Sequence, residues 1–194
     1  MNEIVEKHFL GSIEAKTNAL EHMANDIAIA GNDMVQCIQQ GGKIFTCGNG
    51  GSAGDAQHFS AELLNRFEMD RRPLPSIALT TDTSTITSIG NDFSFDLIFA
   101  KQVAALTNDL DILLAISTSG NSANIIEAIK EAHNNNTKVI ALTGKGGGKL
   151  VEHLNANDLH LCVPCNTTSR IQEVHITIIH CLCDIIDTTL FAKN

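Results

Sequence analysis

The chain has no tryptophan, no tyrosine and only three prolines in 194 residues. Basic residues are scarce as well: 13 Lys and Arg stand against 22 Asp and Glu, for a formal net charge of −9. Nucleic-acid backbones are held by clustered Lys and Arg, and unstacked bases by aromatics interleaved with them. Neither pattern occurs here, which argues against direct DNA or RNA binding. A charged-then-apolar leader is missing too, since "MNEIVEKHFLGS" carries both signs of charge from the start. No apolar run reads as long enough to span a bilayer. The expectation is a soluble, cytoplasmic protein without a membrane partner. Its six cysteines (37, 47, 162, 165, 181 and 183) are then expected as thiols. Only "CVPC" at 162–165 has motif spacing. Without a second pair or a thioredoxin-like context it reads as structural rather than as a metal or redox site. There is no internal repeat, low-complexity tract or linker.

Hydrophobic residues make up 43% of the chain, enough for a core, and the length suits one domain over 1–194. Residues 1–40 show apolar positions at helical spacing, with Gly31-Asn32-Asp33 expected to break the helix in two. That segment is a candidate oligomer interface. Strands then alternate with helices. "KIFTC" (43–47), "PSIALT" (75–80), "DILLAIS" (111–117), "TKVIALTG" (137–144) and "DLHLCVP" (158–164) read as buried strands. Helical stretches fall near 52–66, 83–90, 95–107, after "TSGNS", and at 168–190. This alternation predicts an α/β fold, a parallel sheet with helices on both faces.

Two strand ends run into Gly/Ser loops that open helices: "CGNGGS" after the first strand and "STSGNS" after the third. Helix N-termini offer unpaired N–H groups and partial positive charge, so they suit a phosphate. Neither loop has the Gly-Lys-Ser/Thr of a P-loop, and neither is G-x-G-x-x-G. On the helix opened by the first loop, His58 and Glu62 stand four residues apart. They lie ~40° apart around the axis and ~6 Å along it, close enough to converge as metal ligands or as an acid/base pair. A solvated helix pair has the same spacing. The last helix, "SRIQEVHITIIHCLC", carries Arg170, Gln172, Glu173, His175 and His180. His180 lies in an apolar run, where a core histidine and a ligand are both open.

Five segments, "GGKIFTCGNGGSAGDAQHFSAEL", "ITSIGNDFSFD", "LLAISTSGNSANIIEAI", "VIALTGKGGGKL" and "RIQEVHITIIH", resemble the sugar isomerase (SIS) domain family. Within it they are most similar to the phosphoheptose isomerases. The resemblance covers nearly the whole chain. It implies a flavodoxin-like, three-layer, five-stranded parallel fold and a homotetramer with sites at subunit contacts. It also implies interconversion of sedoheptulose 7-phosphate and D-glycero-D-manno-heptose 7-phosphate, feeding lipopolysaccharide heptose synthesis. The family's zinc-binding positions fall on His58, Glu62, Gln172 and His180. Its substrate-binding positions fall on Asn49, Gly50, Gly51, Ser52, Glu62, Asn91, Asp92, Ser117, Thr118, Ser119, Ser122 and Gln172. Chemical type joined to that pattern assigns Glu62 as base and His180 as acid. Many isomerases carry Asp before the Arg of "RIQE"; here that position is Ser169.

"NRFEMDRRPLPSIALTTDTS", "KQVAAL" and "HCLCDIIDTTLF" look like a paralogous branch, the DnaA initiator-associating regulators. That resemblance implies a non-catalytic tetramer with an initiator protein as partner. The branch lacks the Glu and the His that stand here as Glu62 and His180, so the isomerase is the favoured expectation.

Overall fold

Residues Asn2–Gln39 form one unbroken helix, α1, and the strand β1 (Ile44–Gly48) follows it. The computed structural model describes residues 1–191. The expected break at Gly31-Asn32-Asp33 does not occur. Gly31 is buried in the interior of α1, and a Cβ there would lie 2.7 Å from Cγ2 and 2.9 Å from Cδ1 of Ile185. The glycine lets another helix approach; it does not end its own.

The remaining elements are α2 (Gly51–Leu64), β2 (Ser76–Ala78), α3 (Thr83–Asp92), α4 (Ala100–Leu106), β3 (Ile112–Ser117), α5 (Ala123–Asn134), β4 (Lys138–Gly144), β5 (Leu159–Val163) and α6 (Thr168–Phe191). The stretch read as a helix over 95–107 is a 3-10 turn (Phe95–Leu97) followed by the short α4. A second 3-10 segment, Lys145–His153, joins β4 to β5 and contains the three glycines 146–148 at positive φ.

All five strands are parallel, in the order β2-β1-β3-β4-β5. Strands β1 and β3 are buried along their whole length, as continuous apolar runs covered on both faces require. One core joins α1, α2 and α6 to Ile44, Leu114, Ile140 and Leu161 on one face of the sheet. The other joins α5 and neighbouring residues to Phe45, Leu113, Val139 and Ala141 on the opposite face. The helix after β1 therefore lies on one face and the helix after β3 on the other. That parting between adjacent strands makes a crevice at their carboxyl ends, the usual ligand site of such sheets.

Helix α6 corrects the expectation that no run is long enough to span a bilayer. The helix has 24 residues and contains an 18-residue window of mean hydropathy 1.5, which meets that length and composition. Here Ile171, Val174, Ile178, Ile179, Leu182 and Ile186 of α6 are instead core residues shared with α1 and the sheet. Which solvent this helix faces was decided by tertiary packing.

Replacing Gly31 by Ala should push α1 off Ile185. Overpacking of this kind costs about 1–3 kcal/mol, so denaturant unfolding should show a lowered midpoint with an unchanged slope. An unchanged midpoint would mean that the two helices separate freely.

Candidate active site

The first loop is built by close backbone approach. Gly50 adopts φ 54° and ψ −120°, a conformation suited to glycine. A side chain on Gly48 would overlap the Ser52 backbone, and one on Gly51 would overlap the amide of Gln172 from α6. The second loop turns on Gly120 (φ 64°), where a Cβ would overlap the Gly147 carbonyl. Ser117 and Ser122 face each other across this loop, Oγ to Oγ, at 3.2 Å.

The two loops are tied together. Asn49 Nδ2 donates to Asn124 Oδ1 at 2.8 Å, and Asn124 Nδ2 donates back to Asn49 Oδ1 at 2.8 Å. Asn124, in the first turn of α5, is buried and was not singled out from sequence. The 145–153 segment forms a layer behind the second loop. Leu150 N–H donates to the Gly120 carbonyl at 2.9 Å, and Lys149 N–H to Asn121 Oδ1 at 3.1 Å. "KGGGK" gave a signal for this layer in its glycines, but sequence named no partner for them.

Helices α2 and α6 each follow a parallel strand, so they run side by side in the same direction. Gln172 meets α2 at Gly51, and His180 meets it at His58. His58 Nε2 lies 3.0 Å from His180 Nε2 and 3.4 Å from Glu62 Oε1. The carboxylate and the distant imidazole thus gather on one nitrogen, and His180 is half-buried against α2 rather than enclosed in the core. The His180 ring also packs on Phe67, with centroids 5.5 Å apart. Two ε-nitrogens at this separation either share a proton or turn together toward an electrophile. Nitrogen, nitrogen and carboxylate oxygen are donor types that zinc accepts. In their present positions, however, no group of three or more His, Cys, Asp or Glu among the described residues is arranged to hold an ion. Gln172 meets α2 at Gly51, about two turns along that helix from His58. Asn91 and Asp92 end α3, exposed, with Asn91 Nδ2 donating to Asp92 Oδ1 at 2.8 Å. No hydrogen bond among the described residues joins them to the two loops.

A SIS domain family model matches residues 8–144. The chain belongs to the SIS domain family. A curated relative from Dechloromonas aromatica, a phosphoheptose isomerase, is 60% identical over 186 residues, covering 96% of this chain and 95% of the relative. A solved phosphoheptose isomerase from Francisella tularensis superposes with a TM-score of 0.94 at 52% identity, covering 96% of this chain and 97% of that one. Another, from Neisseria gonorrhoeae, gives 0.92 at 51% identity, with 96% and 98% covered. Within this SIS domain fold, the first Gly/Ser loop opens the helix that carries His58, and α6 meets that helix at both Gly51 and His58.

Two further groups near the site are set by burial. Asp55, one turn before His58, has a buried Oδ2 without a hydrogen-bond partner among the described residues. Burial pushes its carboxyl up to about 6, against the pull of His58. His175 is fully buried and donates Nε2–H to the Thr143 carbonyl at 3.0 Å. Burial drops its imidazole to about 4, opposed by that hydrogen bond. Cys37 and Cys47 are free thiols, pushed up to about 12 by burial and therefore unreactive.

The His175 shift has a definite sign. Its folded value lies below the ordinary 6.5, so from there down to about 4 the unfolded chain binds the extra proton. Stability should fall as pH falls through that window, by about 3 kcal/mol in full from this group. Asp55, raised in the fold, acts oppositely, favouring the folded state toward acid. The diagnostic quantity is therefore the difference in unfolding free energy between the wild type and His175→Gln. Between pH 7 and 4.5 that difference should shift steadily in favour of the variant. A constant difference would remove His175 as the cause.

Proposed function

We propose that this chain is a phosphoheptose isomerase, an aldose–ketose isomerase that interconverts sedoheptulose 7-phosphate and D-glycero-D-manno-heptose 7-phosphate. The reading is carried by the convergence of Glu62 and His180 on His58 beside two phosphate-type loops, in a chain 60% identical to a named phosphoheptose isomerase. The relatives reported above carry that name, and the retained Glu62 and His180 separate the chain from the initiator-associating regulators.

The reaction moves a proton between adjacent carbons through an enediol. It needs a base over the C–H bond and an acid near the oxygens. Glu62 is the proposed base and His180 the proposed acid. The substrate phosphate is assigned to Ser117, Thr118, Ser119 and Ser122, at the N-terminus of α5. Asn49, Gly50, Gly51, Ser52, Asn91, Asp92 and Gln172 are assigned to the sugar. Binding energy from the phosphate end then fixes the reacting carbons near the carboxylate. A zinc ion, when bound, would polarise the carbonyl; His58, Glu62, Gln172 and His180 are the residues that would hold it. Ser169 leaves a hydroxyl where many isomerases have a carboxylate, so no proton is assigned to that position. A cytoplasmic homotetramer remains the proposed assembly. It is supported by the exposed apolar row Ile4, Val5, Phe9, Leu10, Ile13 and Leu20 along α1, a row that a second copy would cover.

Glu62→Gln keeps size and loses basicity. Its kcat on sedoheptulose 7-phosphate should fall by about 10²–10⁴ with unchanged circular dichroism; near wild-type turnover would defeat the base assignment. Ser119→Ala should raise KM more than it lowers kcat, and a loss confined to kcat would move Ser119 away from the phosphate. Chelator treatment should lower turnover in the same coupled assay, and metal analysis of the purified protein should find zinc. Full activity in metal-free protein would refute the zinc assignment.

A further inference from the structure

Arg71 and Asp187 form a buried ion pair that the proposed chemistry does not use. Their side chains are 1% and 3% exposed, and Arg71 Nε donates to Asp187 Oδ1 at 2.8 Å. The rest of the guanidinium caps the end of α2. Nη2 donates to the Glu62 carbonyl at 2.8 Å, and Nη1 to those of Leu63 at 2.8 Å and Asn65 at 3.1 Å. A helix C-terminus leaves its last carbonyls unpaired and carries partial negative charge, so a cation there is doubly suited.

The place of this pair in the fold gives it meaning. Helices α2 and α6 run in the same direction and touch at three stations. Gly51 meets Gln172, His58 meets His180, and the end of α2 meets Asp187 through Arg71. Asp187 lies seven residues beyond His180, two turns on and on the same face. The segment that carries Arg71 also lays Phe67 on the His180 ring and Arg72 over the Phe191 ring, 5.8 Å from its centroid. It is a strap along α6, fastened at Asp187.

We propose that Arg71 is a positioning residue: by holding the Glu62 carbonyl and Asp187 together, it sets the axial offset of α2 against α6 and so the distance between the base and acid groups. This rests on the isomerase reading above. A slide of about 1 Å between reacting groups costs on the order of 10²-fold in rate. The clamp's effect therefore belongs in kcat, while the phosphate loops hold KM.

Removing one partner strands a buried charge and confounds positioning with folding. The informative variant is the double replacement Arg71→Met/Asp187→Leu, which substitutes apolar packing for the pair and is tolerated in other buried ion pairs. Arg71→Lys is its companion, keeping the charge but not the fork that reaches Glu62, Leu63 and Asp187 together. Both should fold, with thermal midpoints near wild type for the double variant. For both, kcat should fall about tenfold to a hundredfold, with KM within about threefold of wild type. A double variant with wild-type kcat would overturn the proposal. So would a rise in KM at constant kcat. If the double variant fails to fold, Arg71→Lys assayed well below its own midpoint decides by the same criteria. The imidazole NMR signals of His58 and His180 give a second readout that needs no turnover. They should move in both variants while those of His22, exposed on α1, stay fixed. Should the wild type itself not isomerise the heptose phosphate, the functional reading fails and the imidazole signals alone judge the clamp; unmoved signals would end it.

Discussion

The helices that follow β1 and β3 leave the sheet toward opposite faces, and the site exists because they do. Adjacent strands whose crossovers part leave a gap that no helix covers. The gap would be an unstable place for two glycine loops unless something fixed one against the other. The reciprocal amide pair of Asn49 and Asn124 does this, with each side chain both donating and accepting at 2.8 Å. Because Asn124 is buried, breaking the pair would leave polar atoms without water or partner. The energetic penalty of separation is what keeps the phosphate-type loop of α5 in register with the loop that opens α2.

From there the order is passed to α6. Its base rests on α1, where Gly31 admits Ile185 into close contact, and its top meets α2 at Gln172 and His180. The apolar contact alone does not prevent sliding, since apolar surfaces are non-directional. Directional bonds do: His58 meets His180, and Arg71 joins the last carbonyls of α2 to one carboxylate of α6. A buried ion pair is weak evidence for stability, because desolvation offsets its attraction. On the proposed reading, its physical contribution is geometric specificity between the Glu62 and His180 side chains.

Local signals were legible in the sequence, and contacts between distant segments were not. The strand runs, the two Gly/Ser loops and the His58–Glu62 spacing all depend on neighbours within a few residues. They were found to within one or two positions, as in β3 at Ile112–Ser117 against the expected 111–117. Gly31 misled because local propensity sees a helix breaker, whereas its environment is a side chain 154 positions away, Ile185. Arg71 and Asp187 are 116 residues apart, and each reads as an ordinary surface charge until the chain brings them together. Asn124 likewise looks like one more polar residue after a serine. The resemblance to the SIS family supplied His180 as a candidate; spacing along α6 could not choose between a core and a site histidine.

The comparison is instructive because α6 carries two histidines with different partners. His175 and His180 are five residues apart, which turns them to different sides of the helix by about 140°. His175 faces the sheet, is fully buried and is kept neutral by desolvation, with its one hydrogen bond going to the Thr143 carbonyl. That hydrogen bond holds the carboxyl end of β4, whose Thr143 hydroxyl meets His160 Nε2 at 2.7 Å, and His160 in turn lies against Gly147 of the layer behind the second loop. His180 faces α2 instead, where its Nε2 has another imidazole, not a carbonyl, as its neighbour. An imidazole bonded to a main-chain carbonyl has its proton location decided by the fold. One bonded to a second imidazole is donor or acceptor according to its tautomer. Apolar flanking residues are common to both histidines. What separates them is the partner: a main-chain carbonyl for His175, a second imidazole for His180.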